Sequence, residues 1–279
     1  MESQLINNLL SQVKQNKKYF SIADKIIIEE IKEYLRKNQI SKISKQDIKE
    51  IRNQLHKSYA SFQTKKKNKI NNYLNELQSL TESKLTDVKL LHITDKLLSV
   101  TLSTKERIND YPNLYKQIFK ITGIPKSIVD LGAGFNVFSY PFMNLNELTY
   151  YSYDIDINDI SVINNYINIM KIRGLSGRGD ILDVRNKEEI SKLPSSDIVF
   201  LFKIIDIINK QNHKPSEELI KYLINNKAKF IVASFATKTF TRKQMNYPNR
   251  KWFELMLERN NLKFQTIKTD NEIFYVISQ

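Results

Sequence analysis

The class of fold is indicated by the stretch Ile128-Val129-Asp130-Leu131-Gly132-Ala133-Gly134-Phe135-Asn136, in which an apolar run ends in a glycine-rich turn. A short apolar run of this kind is typical of a buried strand. Gly132 and Gly134 allow backbone conformations and close approaches that a Cβ atom would block. The first N–H groups of a following helix have no partner within that helix and can face a ligand. We therefore expect a strand, a turn and a helix that together hold a small molecule.

Acidic residues follow the next two predicted strands. One strand ends in Tyr153-Asp154-Ile155-Asp156 and the other in Gly179-Asp180-Ile181-Leu182. A carboxylate at the end of the second strand can accept both hydroxyl groups of a ribose, which predicts this role for Asp154. Asp180 is placed to accept from an adenine amino group, whereas Asp159 is expected to cap the next helix.

The cofactor suggested by these three strand ends is S-adenosylmethionine. A dinucleotide-binding turn requires a third glycine, and the corresponding position is Val137. The Asp-x-Gly-x-Gly form instead suits a zwitterionic amino-acid tail, whose carboxylate would lie near the turn.

After residue 101, strand-like and helix-like segments alternate, which favours an α/β fold with a largely parallel sheet. The predicted strands are 127–131, 149–153, 177–181, 197–202, 230–235, 263–269 and 273–277, with helices near 137–144, 158–172, 203–211, 215–226 and 249–260. The short turn at Asp270-Asn271 predicts that the last two strands form an antiparallel hairpin at the sheet edge. Seven strands with a terminal hairpin are the arrangement of a class I (Rossmann-like) methyltransferase domain.

Residues 1–100 contain neither proline nor glycine, and all six glycines lie between positions 123 and 179. Apolar residues recur at helical spacing from Ile22 to Leu35, and Ser44 with Asp47 resembles a capping box before a second helix. Further helical stripes run over 70–80 and 85–98. We therefore predict an all-helical domain over residues 1–100 and an α/β domain over residues 101–279.

The chain carries 44 Lys and Arg against 30 Asp and Glu, a formal net charge of +14. One basic concentration contains no acid and consists of Lys57, Lys65, Lys66, Lys67 and Lys69. A second lies within residues 201–250, which contain ten basic and three acidic residues. Patches of one charge sign favour contact with phosphates. The alternative is that lysine is abundant throughout the proteome, which would raise the net charge without any functional reason. Tyr59 and Phe62 lie in the first patch and are expected to pack in the core rather than on bases.

Several classes of protein are excluded or disfavoured. The chain has no cysteine, which excludes disulfides and thiolate sites, and its three histidines are widely separated, which disfavours a metal centre. No apolar run reaches the roughly 18 residues of a membrane span. We therefore expect a cytoplasmic protein with no metal and no membrane partner. The sequence does not determine the oligomeric state, for which a monomer is favoured.

The chain resembles the aminoglycoside-resistance 16S rRNA methyltransferases that modify a decoding-site guanine at N7. The resemblance runs from about Thr94 to the C-terminus. The matching segments are Ser103-Thr104-Lys105-Glu106-Arg107, Asp130–Asn136, Tyr153–Asp156, Phe200–Lys203, Ser234-Phe235 with Lys238, and Asn246-Tyr247 with Trp252-Phe253-Glu254. The first and last of these are not general features of methyltransferases.

The resemblance implies roles for individual residues. Arg107 would pair bidentately with the cofactor carboxylate, a geometry that lysine cannot reproduce. Lys203 would contact the RNA or the flipped guanine. The cofactor-binding set implied in this way is Arg107, Asp130, Gly132, Gly134, Asn136, Asp154, Ile155, Asp180, Ile181 and Phe202. Lys238, Arg242 and Lys243 would clamp backbone phosphate, and the N-terminal patch would dock on 16S rRNA in the small ribosomal subunit.

Two alternatives stay open at this level. The chain could methylate another rRNA site or tRNA, or it could be a degenerate methyltransferase that serves as an RNA-binding or ribosome-assembly module. Retention of Arg107, Asp154, Asp180 and Lys203 favours an enzyme, because a binding module has no need of them.

Overall fold

The computed structural model describes residues 2–38, 43–58, 65–82, 86–209, 212–238, 243, 245 and 249–279. A seven-stranded sheet forms the centre of the C-terminal part. The strands are β1 (Ser127–Leu131), β2 (Leu148–Asp154), β3 (Leu175–Ile181), β4 (Ser196–Phe202), β5 (Ala228–Ala236), β6 (Lys263–Lys268) and β7 (Glu272–Ser278). Their order across the sheet is β3-β2-β1-β4-β5-β7-β6.

Strands β1 to β5 pair in parallel, and β7 is antiparallel to both β5 and β6. The parallel strands β1, β4 and β5 read as nearly continuous apolar runs because helices cover both faces of this sheet. The predicted strands are confirmed to within two residues at each end, and the terminal hairpin turns at Asp270-Asn271 as expected. The predicted α/β class is likewise confirmed.

Helices occupy the N-terminal part and the crossovers of the sheet. Those before β1 are α1 (Glu2–Lys14), α2 (Asp24–Asn38), α3 (Lys45–Ser58), α4 (Ile70–Glu82), α5 (Asp87–Leu98), α6 (Leu102–Lys105) and α7 (Tyr111–Thr122). Those after β1 are α8 (Tyr140–Met143), α9 (Ile157–Met170), α10 (Lys187–Ser191), α11 (Ile205–Ile208), α12 (Lys214–Asn226) and α13 (Lys251–Arg259). Helices α1, α6, α7 and α10 were not predicted from the sequence, although Pro112 in the first turn of α7 is a typical helix start.

The N-terminal helices divide into two packing groups. Helices α1, α2 and α3 share a core of their own, which includes Leu9, Ile27 and Ile51. Helices α4 and α5 instead pack with α7, α9 and one face of the sheet in the largest core of the molecule. Helices α1–α3 thus have a different core from α4 and α5, and Ile155 and Ile181 of the α/β part pack against it. The division at residue 100 stays a prediction.

The N-terminal cap of one helix agrees with the prediction from the sequence, and that of another helix differs from it. The backbone N of Ser44 donates to Asp47 Oδ2, and the N of Asp47 donates to Ser44 Oγ, so the capping box before α3 is confirmed. At α9 the cap is Asp156, whose Oδ1 accepts from the N of Asp159 at 2.9 Å. The expectation that Asp159 caps this helix is wrong, because the helix begins at Ile157 and places Asp159 inside its first turn.

Among the described residues, no helix is long and apolar enough to cross a membrane.

Gly177 in β3 adopts a φ of +114°, and a Cβ atom there would lie 2.0 Å from the carbonyl oxygen of Tyr150 in β2. Because the clash is with backbone, it cannot be relieved by a rotamer change. We expect Gly177→Ala to lower the free energy of unfolding by at least about 3 kcal/mol, measured by urea denaturation. Arg178→Ala, at the exposed neighbour, should cost less than about 1 kcal/mol, and equal losses in the two variants would contradict the clash.

Candidate active site

A cavity opens at the carboxyl ends of β1, β2 and β4, which is where ligands bind in open α/β sheets. Residues from both the sheet and the N-terminal helices surround it. The lining residues are Ile26, Glu30, Leu55, Thr101, Ser103, Arg107, Gly132, Ala133, Gly134, Asp154, Ile155, Asp159, Leu182, Asp183, Val184, Arg185, Phe202, Lys203, Ile204, Ile207 and Ile208. Of the predicted cofactor set, the structure brings Arg107, Gly132, Gly134, Asp154, Ile155 and Phe202 to this cavity, together with Lys203.

The glycine turn after β1 is held by the end of β2. Gly134 has a φ of +49°, a conformation that favours glycine, and its N donates to Asp154 Oδ2 at 2.7 Å. The other carboxylate oxygen of Asp154 accepts from the N of Ile155 at 2.7 Å. Burial raises the pKa of Asp154 against the effect of these two hydrogen bonds. Each oxygen keeps a further acceptor site, because a carboxylate can accept about four hydrogen bonds.

Arg107 and Glu272 form a buried ion pair beside this turn. Arg107 Nε donates to Glu272 Oε1 at 2.6 Å, and the two residues are 3% and 0% exposed. Burial opposes both charges, yet the Glu272 carboxylate raises the pKa of Arg107, and Arg107 with Lys203 lowers that of Glu272. The guanidinium also lies 5.0 Å from the centre of the Phe202 ring.

The pairing leaves Arg107 Nη2 buried without a hydrogen-bond partner among the described residues. A buried donor of this kind is costly unless something accepts from it. Since Nε is already bonded to Glu272, the predicted bidentate grip on a ligand is restricted to the remaining guanidinium nitrogens.

Lys203 lies directly after β4 in a strained backbone conformation, with a φ of +56°. Its N donates to both the carbonyl oxygen and the Oγ of Ser234, which holds this conformation in place. Its ammonium nitrogen lies 2.9 Å from Glu106 Oε2 and 3.0 Å from Glu272 Oε1. Lys203 therefore enters the cavity as a cation whose charge is balanced by two carboxylates.

Asp130 and Asn136 lie beneath the glycine turn, outside the cavity lining. Asp130 Oδ2 accepts from Asn136 Nδ2 and from the hydroxyl of Tyr150, while Asn136 Oδ1 accepts from the hydroxyl of Tyr111. Both residues are 1% exposed. These side chains brace the turn, and the expectation that they contact a cofactor directly is not supported by their position.

Asp180 and Ile181 also lie outside the cavity lining. Asp180 is exposed, and its Oδ1 accepts from the N of Ile181 at 2.8 Å. Side chains alternate between the faces of a strand, and Asp180 points away from the face that α9 covers. The structure instead brings Asp183 to the cavity, in the loop that follows β3.

The predicted RNA-binding lysines occupy different environments. Lys67 turns inward, where its ammonium pairs with Asp159 and lies 5.7 Å from the centre of the Phe135 ring. Burial raises the pKa of Asp159 to about 7, although Lys67 opposes the shift. Lys67 thus supports the cavity rather than an outer face, whereas Lys66 and Lys69 are exposed.

Near β5, Lys238 bonds both carboxylate oxygens of Asp270 at 2.7 Å and ties the end of this strand to the terminal turn. Lys243 is exposed. Tyr59, Phe62, Arg242, Asn246 and Tyr247 lie outside the described residues, as do the side chains of Lys57 and Lys65. Trp252 is half-buried and packs edge-on against Phe235 and Phe253.

Several residues of the cavity were missed by the sequence analysis. They are Asp183, Arg185, Glu30, Ile26, Leu55 and Asp159. Glu272 was missed as well; it does not line the cavity but pairs with Lys203, which does. Only Asp183 had a usable signal, since it follows a predicted strand end. In the parts of the chain that the structure describes, no group of three or more acidic or histidine side chains is arranged to hold a metal ion.

A sheet of this order with an antiparallel seventh strand, and a cavity behind a glycine turn at its carboxyl edge, define a class I methyltransferase. The family described as ribosomal RNA methyltransferase (FmrO) matches residues 17–276. The chain belongs to this family.

Curated relatives and solved structures agree with this assignment. The chain is 29% identical over 250 residues to the 16S rRNA (guanine(1405)-N(7))-methyltransferase of Proteus mirabilis, covering 84% of this chain and 85% of the relative. It is 25% identical over 235 residues to the enzyme of that name from Micromonospora rosea, covering 82% and 81%. The 16S rRNA methyltransferase RmtF, solved with S-adenosyl-L-homocysteine, superposes with a TM-score of 0.76 at 20% identity, over 98% of both chains. The 16S rRNA methylase RmtB gives 0.71 at 19%, also over 98% of both, so both share the fold.

The pH dependence of stability tests the environment of Asp130. Burial raises the pKa of this carboxyl from 3.8 to about 6, against the hydrogen bonds from Tyr150 and Asn136. The folded state then binds a proton that the unfolded state releases, so stability falls as pH rises from about 4 to about 6. In Asp130→Asn this part of the pH dependence, up to about 3 kcal/mol, should disappear from urea unfolding curves. Asp180→Asn is the exposed control, and the idea fails if both variants keep the slope of the parent protein.

Proposed function

We propose that this chain transfers a methyl group from S-adenosylmethionine to N7 of a decoding-site guanine in 16S rRNA. The observation that carries the proposal is the buried, unpartnered Nη2 of Arg107, which lies at a cavity behind a methyltransferase glycine turn. The family and the names of the two relatives supply the substrate class.

The residues at the cavity suit the cofactor at three points. Arg107 Nη2 is a donor for the carboxylate of the amino-acid tail, and the free acceptor sites of Asp154 are available to ribose hydroxyls. Apolar side chains, among them Ile155 and Leu182, offer surface to a flat ring beyond the ribose. When bound, the cofactor supplies a methyl group on a positively charged sulfur.

The reaction asks little acid–base chemistry of the protein. Guanine N7 carries a lone pair and no proton, so no general base is needed to create the nucleophile. The methyl–sulfur bond breaks as the methyl–N7 bond forms, and the positive charge passes from sulfur to the guanine ring. The protein must flip the base into the cavity, align N7 with the methyl group and exclude water.

Lys203 is the residue proposed to hold the target base. A lysine ammonium donates readily to guanine O6, which lies on the same edge of the base as N7. A bare cation there would oppose the positive charge that develops on the methylated ring. The carboxylates of Glu106 and Glu272, at 2.9 and 3.0 Å, neutralise Lys203 and so remove this repulsion. Exposed cations such as Lys66, Lys69 and Lys243 are proposed to contact phosphates around the target.

Incubation with labelled S-adenosylmethionine tests the substrate. Purified small ribosomal subunits, free 16S rRNA and tRNA should be offered separately, followed by reduction and aniline cleavage, which cut RNA at N7-methylguanine. We expect label in the small subunit or its rRNA and one cleavage site in the decoding region.

Label in tRNA alone would reject the proposed substrate. Label without aniline cleavage would reject N7 as the acceptor atom. If no RNA is labelled, and calorimetry detects no cofactor binding, the chain is a binding module rather than an enzyme.

Two variants separate cofactor binding from turnover. Arg107→Gln removes the donor for the cofactor carboxylate, so calorimetry should show affinity for S-adenosylhomocysteine at least about 10-fold weaker. Lys203→Ala should keep that affinity within about 3-fold and lose most of kcat, because its proposed partner is the base. Normal turnover in Lys203→Ala would remove this residue from the reaction.

A further inference from the structure

Three residues of the cavity come from the separately packed helices α1–α3. Ile26 and Glu30 lie one turn apart on α2, and Leu55 lies on α3. All three are buried, with exposures of 2%, 3% and 1%. The cavity is thus closed by a part of the chain that is remote in sequence from the glycine turn.

Glu30 holds a cavity arginine in place. Arg185 Nη1 donates to Glu30 Oε2 at 2.9 Å, while its Nε and Nη2 donate to the two carboxylate oxygens of Asp183 at 2.9 and 2.8 Å. Burial opposes the charge of Arg185, but its bonds to Asp183 and Glu30 raise its pKa overall. The guanidinium is therefore clamped between α2 and the loop that follows β3.

The same loop has a second tie to α2. Lys25 Nζ donates to the carbonyl oxygen of Ile181 at 3.0 Å and to Glu189 Oε1 at 2.8 Å. Glu189 Oε2 in turn accepts from the N of Asp183 at 2.9 Å. Helix α2 thus contacts the segment from Ile181 to Glu189 through two charged side chains, the ammonium of Lys25 and the carboxylate of Glu30.

A backbone connection joins α2 to the ribose side of the pocket as well. The N of Ala23 donates to the carbonyl oxygen of Ile155 at 2.9 Å, and the N of Ile157 donates to that of Ser21 at 2.8 Å. These bonds flank the isolated antiparallel bridge between Ile22 and Asp156. The segment directly after Asp154 is therefore anchored to the N-terminal helices.

We propose that α2 is part of the cofactor site, and that Glu30 is a positioning residue that sets Arg185 against the adenosine end of the cofactor. The proposal rests on the cofactor assigned under Proposed function. Ile26 and Leu55 line the same cavity as the apolar residues Leu182 and Val184, and these four side chains are proposed to contact the adenine ring. Arg107 lies at the glycine-turn side, where the amino-acid tail is placed, so the two ends can be tested separately.

Two ligands separate the ends of the pocket in calorimetry of the full chain. S-adenosylhomocysteine carries both ends, whereas 5′-methylthioadenosine lacks the amino-acid tail. We expect Glu30→Gln to weaken binding of both ligands about equally, by about 10-fold. Arg107→Gln should weaken S-adenosylhomocysteine only. Glu29→Gln is the matched control, since Glu29 is exposed on the same helix and pairs with Lys32.

Arg185→Gln and the double variant test whether Glu30 acts through Arg185. The double variant should lose no more affinity than the larger single loss, because one pair is removed. The KM for S-adenosylmethionine should rise in Glu30→Gln, while the KM for RNA stays within 2-fold. Thermal melting identifies variants that fail to fold. If Glu30→Gln fails to fold, the affinities of Arg185→Gln for the two ligands provide the test instead.

Unchanged affinity for 5′-methylthioadenosine in both Glu30→Gln and Arg185→Gln would overturn the inference. So would a loss that affects S-adenosylhomocysteine alone, because that pattern belongs to the amino-acid end. If the unmodified chain binds neither ligand, the proposed function fails rather than the role of Glu30.

Discussion

The buried ion pair between Arg107 and Glu272 is the interaction on which the site depends. It connects the segment after α6 with the first residue of β7, and Glu272 also accepts from Ser234 in β5 and pairs with Lys203 after β4. Removing one partner of such a pair leaves an uncompensated charge, at a cost of about 3–5 kcal/mol. Three strand ends and the entry to the α/β part are therefore connected through one carboxylate. Arg107 Nη2 is buried without a hydrogen-bond partner among the described residues.

The net charge of +14 is not simply a surface property of this protein. Lys67 and Lys203 each pair with carboxylates at the cavity, and Lys25 ties α2 to the loop after β3. These cations pair with carboxylates of the protein, and one of them, Lys203, is also the residue proposed to hold the target base. Lys66 and Lys69 are exposed, and their contact with RNA belongs to the proposed function. The excess positive charge therefore includes cations that stabilise the site as well as cations in exposed basic runs.

Local patterns predicted most of the fold. The seven strands, the terminal hairpin, the capping box at Ser44 and Asp47 and the glycine turn each follow from residues that are close in sequence. The strand-end pattern placed Asp180 in contact with the ligand, and the family resemblance did the same for Asp130 and Asn136. In the structure Asp180 is exposed, and the other two brace the turn. A residue's position near a strand end indicates its neighbourhood but not which way its side chain points, because that depends on what covers each face.

The amino-acid sequence alone was enough to predict the class of fold, the order of the elements and the resemblance to rRNA methyltransferases, since these depend on short-range periodicity and on motifs. Two ion pairs could be identified only in the folded chain: Glu272 pairs with Arg107, 165 residues away, and Glu30 pairs with Arg185, 155 residues away. No local pattern marks either glutamate, because each is an ordinary acidic residue until folding brings its partner within hydrogen-bonding distance. Burial then makes these ion pairs necessary for stability, since a charge that is removed from water requires a counter-charge within the protein.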